Sequence, residues 1–288
     1  MMNRLLAATA ILALTACSGT PQPAPKADGE GAETPAADPL GDMDPSKLND
    51  GATAGGNDAR RFTIVPSPRE TQEALESAEI DTKLSDLIQT REMDFTDQDL
   101  DDVAVRTGVV IADMLLTVKT ASDDDLVSRL EHIKTGMKVL KGGSDIEQTI
   151  DDLVSRVKAE AVTRDDLLKE LDELSGAIIP ELDFEGQSRV VPLIQAGSWL
   201  EGANLVARAA KAKEKPASVN GILKRKVVVK YFIDYVSGEG KERAPAAVTE
   251  KLNASLTTLK GIAEKDADLT AEDLDTVIQV TEDVLALL

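Results

Sequence analysis

Apolar positions along most of this chain recur with the period of an α-helix. Leu126, Leu130, Ile133, Met137 and Leu140 follow one another at steps of four, three, four and three, which places them on one face. Ser122 ahead of them is a capping residue, and Gly142-Gly143 after them close the helix. Ile146, Ile150, Leu153 and Val157 stripe a helix opened by Ser144. Leu167, Leu171, Leu174 and Ile178 stripe another, opened by Thr163 and stopped near Pro180. The same signals predict earlier helices over 71–89 and 96–119, opened by Thr71 and Thr96. Later helices are predicted over 187–211, 217–236 and 245–264, with Leu252, Leu256 and Leu259 inward in the last, and a ninth opens at Thr270. Pro192 near the start of the sixth is tolerated there. Lys226 to Val236 is rich enough in β-branched and aromatic residues for a strand, but no partner strand is evident, so a helix is preferred. Only Arg61-Phe-Thr-Ile-Val65, ending at Pro66, reads as a short extended segment. The expected fold class is all-α, a bundle of about eight to nine helices over residues 61–288.

The second and sixth helices differ from the rest. The second is apolar almost all round, including Val103, Val109, Val110, Ile111 and Leu115, and a helix without a polar face is a buried one. Arg106 and Asp113 are its charged exceptions, seven apart on one stripe, with Asp102 placed to pair with Arg106. The sixth reads Gln195-Ala-Gly-Ser-Trp-Leu-Glu-Gly-Ala-Asn204, whose small residues let a neighbouring helix come close. Met93-Asp94-Phe95…Gly108 is echoed by Leu182-Asp183-Phe184…Gly197, with thirteen residues from Phe to Gly both times. N-cap threonines followed by acids suit any helix start, but they do not explain that spacing. A duplicated four-helix unit is expected, with repeats over 71–162 and 163–269 and the ninth helix as a closing piece.

The pattern breaks at the beginning of the chain. Residues 18–60 hold six prolines between Pro21 and Pro45 and only Leu40, Met43 and Leu48 as large apolar residues, too few to offset the entropy of ordering. As a flexible leash, such a stretch spans roughly 35–40 Å on average and reaches about 150 Å when pulled straight. Before it come Arg4, an apolar run from Leu5 to Leu14, and Leu14-Thr15-Ala16-Cys17. A basic start, a short apolar core and small residues before a cleavage point describe a secretory signal peptide over residues 1–16. The run is also shorter than the roughly 20 residues a spanning helix needs. Leu-Thr-Ala-Cys resembles the lipobox of bacterial lipoproteins. The resemblance implies that Cys17 carries a diacylglyceryl group and becomes the acylated first residue after the leader is cut. Three acyl chains make a durable anchor where one holds only marginally. Ser18 stands where an aspartate signals inner-membrane retention in enterobacterial sorting, which favours the outer membrane where the source has one. The implied location is the cell envelope, on its periplasmic or surface side.

Charge and composition narrow the function. The net charge of −20 repels nucleic acid and anionic headgroups, which bind through Lys and Arg clusters. Cys17 is the only cysteine, so its lipidation leaves no thiol for a disulfide or a thiolate metal site, and the fold must stand on packing. Seven aromatic residues in 288 leave little material for base-stacking platforms. His132 is the single histidine; it lies off its helix's apolar stripe and is expected on the solvated surface. One histidine supplies neither a Ser–His–Asp arrangement nor the paired Glu-x-x-His of di-iron bundles. The acid-rich stretches 94–102 and 266–273 lack the EF-hand glycine and glutamate and read as helix-start acids and solvated loops. Lys224-Arg225-Lys226 with Lys230 is the one basic block, most simply a solvated helix face, otherwise a contact for an acidic partner or for headgroups. No metal or cofactor is expected.

The nearest thing to a site is where the second and sixth helices meet: Arg106, Asp113, Trp199, Glu201 and Asn204. Buried charge is costly unless paired, so the first reading is a structural polar network beside a packed tryptophan. The second is a small-ligand or cation site between the helices around 103–118 and 190–210. The third, general acid/base work by Asp113 and Glu201, needs perturbed carboxyls in a cleft. Gly108…Asp113 with Gly197-x-Trp199-x-Glu201-Gly202 is similar to a pattern in helical lipoproteins of the bacterial envelope; the likeness implies architecture and no chemistry. The expectation is a lipid-anchored, non-catalytic interaction or scaffold module with the membrane and an envelope protein as partners, and a small-ligand or cation-binding protein as the alternative.

Overall fold

The computed structural model describes residues 65–286 apart from 81–82, 90, 92, 96–98 and 244–245, and all of them belong to one unit, Pro45–Leu288. The leader, Cys17, the leash 18–60 and most of the extended segment 61–65 lie outside the described residues. Among those residues there are ten α-helices and no strand. They are α1 (Pro68–Ser77), α2 (Leu100–Thr117), α3 (Asp123–Leu140), α4 (Ser144–Lys158), α5 (Arg164–Phe184), α6 (Val191–Ala212), α7 (Asn220–Leu223), α8 (Lys226–Ser237), α9 (Ala246–Ala263) and α10 (Ala271–Leu285).

Side-chain caps set several starts. Ser122, Thr163 and Thr270 each accept from the backbone N–H three residues on, of Asp125, Asp166 and Asp273. α1 is opened by Ser67 rather than Thr71: Ser67 and Glu70 form a capping box with Pro68 in the first turn, and the helix ends at Ser77, well short of Gln89. α2 starts at Leu100 on an Asp99 cap, later than Thr96. α4 starts from Gly143, at φ +84°, with Ser144 as its first residue.

Two further boundaries depart from expectation. α5 does not stop at Pro180 but runs on to Phe184. Proline leaves the Gly176 carbonyl without its helical donor, and Gly176 and Pro180 are both exposed, so water can take that place. Continuing also buries Leu182, the next step of the Leu171–Leu174–Ile178 stripe. The helix ends instead at Gly186, φ +74°, where Gln187 N–H bonds the Leu182 carbonyl at 2.6 Å. The expected helix over 217–236 is broken at Lys224-Arg225 into α7 and α8. An unbroken helix would carry the Val219–Leu223 stripe onto Lys226 and Lys230. The break resets the phase so that Val228, Val229 and Phe232 turn inward.

α2 and α6 form the centre, crossing at two glycines. A methyl group on Gly108 would stand 2.0 Å from the Ile194 carbonyl oxygen, and one on Gly197 would stand 2.0 Å from that of Val105. On one side pack α3, α4 and α5 through residues such as Leu130, Met137, Ile150 and Leu171. On the other pack α1 and α7–α10 through Leu205, Val219, Leu274 and Val277. The predicted stripes are buried: Leu126, Leu130, Ile133, Met137 and Leu140 are at most 1% exposed. The boundary between the cores does not follow the proposed repeat boundary, because α5 shares its core with α2–α4. Nor do the paired phenylalanines match: Phe95 is buried, whereas Phe184 is 83% exposed.

Candidate functional site

The five residues of the expected site separate into different surroundings. Asp113 on α2 and Glu201 on α6 come together as neighbouring buried carboxyls, and Asp113 Oδ1 and Glu201 Oε1 are both buried without a hydrogen-bond partner among the described residues. Glu201 is completely buried and accepts from Arg91 Nη1 at 2.7 Å. Burial first, and then the Glu201 carboxyl, hold the pKa of Asp113 well above the ordinary carboxylate value, while Arg129 and Arg91 pull the other way. Two buried carboxyls this close repel each other when both are charged, and the raised pKa of Asp113 makes it the one that holds a proton. Arg91 Nη2 and Arg129 Nη1 are buried with no partner, so positive charge is available to the pair. Neither carboxyl lines the cavities described below. The pair belongs to the interior, not to the cleft that acid/base chemistry needs.

Asn204 serves as a joint between α6 and α10. Its Nδ2 donates to Thr281 Oγ1 at 2.9 Å and to the Ile278 carbonyl at 3.3 Å, and its Oδ1 accepts from Arg208 Nε at 2.9 Å. Arg208 in turn pairs with Glu282. Arg106 donates to the Asp94 carbonyl, fixing the loop that carries buried Phe95 onto α2. Arg106 and Asn204 therefore hold elements in place and do not share a site with Asp113.

Trp199 faces elsewhere. It lines a cavity of about 460 Å³ between the start of α2, α6, α8, α9 and α10. Val105 and Leu200 line it from the central helices, Trp199 and Phe232 stack with ring centroids 5.2 Å apart, and Leu252 and Leu256 close it from α9. The volume falls in the range of small-molecule sites, roughly 300–1,000 Å³, and the lining is mainly apolar as such sites are. α9 presents Val248, Leu252, Leu256 and Leu259 toward this space. Leu252, Leu256 and Leu259 thus point inward as expected, but onto a cavity as well as onto core.

Charge is confined to one end. Arg243 donates from Nε to Asp101 Oδ2 at 2.7 Å and from Nη2 to Asp101 Oδ1, and its Nη1 donates to the Tyr235 hydroxyl at 2.5 Å and the Arg189 carbonyl at 3.0 Å. Arg189 bonds Asp101 as well, at 3.0 Å. One arginine from the turn after α8 is therefore strapped to the first turn of α2 across the rim. No local pattern joins Asp101 to Arg243, which are 142 residues apart. A usable signal did exist for the wall: three of the seven aromatic residues fall within 231–235, and two of them, Phe232 and Tyr235, line the cavity.

Other sequence candidates resolve plainly. His132 is not on the solvated surface but half-buried, tilted against Phe95 with centroids 5.8 Å apart. Burial, then Arg129, lower its pKa. In the basic block, Lys224 Nζ bonds the Ala267 carbonyl at 2.9 Å, Arg225 Nε bonds the Gly221 carbonyl at 3.1 Å, and Lys230 pairs with Asp234 at 2.8 Å. Among the acids, Asp99 caps α2 and Asp273 completes the cap of α10. Among the described residues no group of His, Cys, Asp and Glu is arranged to hold a metal ion, and no helix is long and apolar enough to cross a membrane.

Comparison with protein-family models, with curated proteins and with solved structures gives no match to this chain.

Proposed function

We propose that this is a lipid-anchored cell-envelope protein whose helical domain binds a small, mainly apolar molecule in the cavity beside Trp199, without transforming it. The observation that carries the reading is the cavity itself. A chain selected only to pack would cover such a surface, because each Å² of apolar area left in an open hollow forgoes about 25 cal/mol of burial. Here bulky side chains from α2, α6, α8 and α9 surround the cavity instead. The non-catalytic reading is supported by the place of Asp113, whose carboxyl is held well above its ordinary value in the core between α2 and α6, away from the cavity; at the cavity, Asp102 is raised mainly by partial burial. The anchor is supported by Leu14-Thr15-Ala16-Cys17.

The test is titration of the full chain with Nile red, followed by its own fluorescence and by the unfolding temperature. Saturable binding with stabilisation of the native state is expected. Ala196→Phe, which places a ring in the cavity, should abolish it while the helical spectrum stays. Unchanged dye binding in that variant sinks the proposal. For the anchor, radiolabelled palmitate should enter the wild-type protein and not Cys17→Ser.

Phe184 favours a second reading, an envelope interaction or scaffold module. It stands 83% exposed at the end of α5, where a large aromatic gains nothing from the fold. Crosslinking in the native envelope should then give a discrete partner that Phe184→Ser loses; an unchanged crosslinking pattern removes this reading.

A further inference from the structure

Which ligand the cavity takes is decided by the charges at its rim, provided that it binds one as proposed above. We infer that the ligand is an amphiphilic cation, with its apolar body in the cavity and a single ammonium-type group at the rim beside Asp102. Among the described residues the lining carries three aspartates and one arginine. Two of the aspartates are committed. Both oxygens of Asp101 are held by Arg243, with Arg189 as a further donor. Asp99 caps α2 by accepting from the Asp101 N–H. Asp102 is the one left over. Arg106, four residues on, turns away from it to donate to the Asp94 carbonyl, so the pair expected from the spacing does not form. Among the described residues no hydrogen bond or salt bridge reaches the Asp102 carboxylate. Partial burial raises its pKa; Arg106 pulls it down, and Asp99 and Asp101 push it up again. A negative charge held against burial and two like charges is stabilised by a cation brought beside it.

The charged group of such a ligand stays wet. Asp102 is exposed where it lines the cavity, so an ammonium beside it keeps contact with water while the chain behind it follows the apolar wall. This placement avoids the desolvation that disfavours an unpaired charge deeper inside. The wall also suits an organic cation. The Arg243 guanidinium already lies over the Tyr235 ring, 6.0 Å from its centroid, and Trp199 and Phe232 add two more rings. An anion meets the opposite field: the lining arginine is bound to Asp101, and the chain carries a net charge of −20. One exposed ion pair changes affinity by about two- to fivefold, so the apolar contacts supply most of the binding and Asp102 supplies the selection.

The full chain carrying Cys17→Ser, free of acyl groups and so of detergent, is titrated with octylammonium, 1-octanol and octanoate. Emission of Trp199, the only tryptophan, reports occupancy. Octylammonium should bind roughly fivefold or more tightly than octanoate, and 1 M salt should narrow that gap by screening the rim. Asp102→Asn should weaken octylammonium about two- to fivefold and leave octanol unchanged, and Asp102→Glu, which keeps the charge, should restore the preference. Octanol serves as the control for any loosening of the first turn of α2, and the salt series on the unsubstituted Asp102 stands even if Asp102→Asn fails to fold. Octanoate binding as tightly as octylammonium overturns the inference, as does octylammonium binding that ignores Asp102→Asn. If none of the three probes moves Trp199 emission or the unfolding midpoint, the binding role of the cavity falls, not merely the class of its ligand.

Discussion

Gly108 and Gly197 meet across the α2–α6 crossing in a reciprocal contact. Each sits against the carbonyl of the residue three before the other, Ile194 for Gly108 and Val105 for Gly197. Each also faces the amide of the residue just after the other, Ser198 N at 2.9 Å and Val109 N at 3.1 Å from an added methyl. The crossing is locally two-fold, and any side chain at either glycine strikes backbone, which cannot swing aside. Gly108→Ala and Gly197→Ala should each lose at least about 3 kcal/mol, at the top of the range for overpacking. Gly202 on α6 has nothing within 4 Å of an added methyl, so Gly202→Ala should gain up to about 1 kcal/mol from helix propensity. Urea unfolding of the three variants separates the outcomes; equal effects at all three positions would contradict the backbone contact.

Asp113 makes stability depend on pH in a stated direction. Its folded pKa is raised, so the folded form keeps a proton that the unfolded chain releases near pH 4. Its contribution is then full below pH 4 and declines as pH rises toward the folded pKa. Asp113→Asn stays neutral and has no proton to lose. It should therefore gain on the wild type as pH rises above 4, measured as the difference in urea midpoints. A constant difference above pH 4 would mean that Asp113 is ionised in the fold. Arg91→Ala acts differently, leaving buried Glu201 without its ion partner, and should cost about 3–5 kcal/mol at neutral pH.

Much of the helical frame was legible because its signals are local. The Leu126–Leu140 and Leu167–Ile178 stripes, the Ser122, Thr163 and Thr270 caps and the all-apolar α2 each depend on residues within a few turns. The small residues of α6 pointed to a close helix approach, which Gly197 makes against α2; the Phe-to-Gly spacing pointed instead to a duplication that buried Phe95 and exposed Phe184 do not match. What failed was tertiary. The Pro180 stop yielded to the burial of Leu182, and the helix over 217–236 broke so that lysines would not face the core. Asp113 and Glu201 were brought together, but in the interior. The cavity was invisible, since an apolar stripe such as Leu252–Leu256–Leu259 reads the same whether it meets side chains or space.

Arg243 should control entry to the cavity. Its guanidinium and the Asp101 carboxylate are about four-fifths buried, at 20% and 17% exposure, and the hydrogen bonds between them are charge-assisted. Such bonds contribute about 1.5–3 kcal/mol each when intact, but part of that returns here as solvation of the freed partner. Arg243→Ala should therefore destabilise by about 1–3 kcal/mol and should also speed dissociation of a bound hydrophobic dye in stopped-flow displacement. If stability falls with no change in dissociation rate, the strap holds the fold without gating the rim.

Pro180 offers the opposite sign, a substitution that should stabilise. It lies inside α5, where proline costs about 3 kcal/mol relative to alanine because the donor to residue i−4 is missing and the ring crowds that carbonyl. Nothing in its surroundings compensates: the side chain is exposed and the carbonyl it leaves free belongs to exposed Gly176. Pro180→Ala should restore that bond while keeping Leu182 buried and the Gly186 terminus intact. Exposure to water recovers part of the lost bond in the wild type, so the expected gain is about 1–3 kcal/mol, read as a raised urea midpoint with unchanged slope. A loss of stability would show that α5 needs its proline, for instance to set the direction in which Leu182 enters the core.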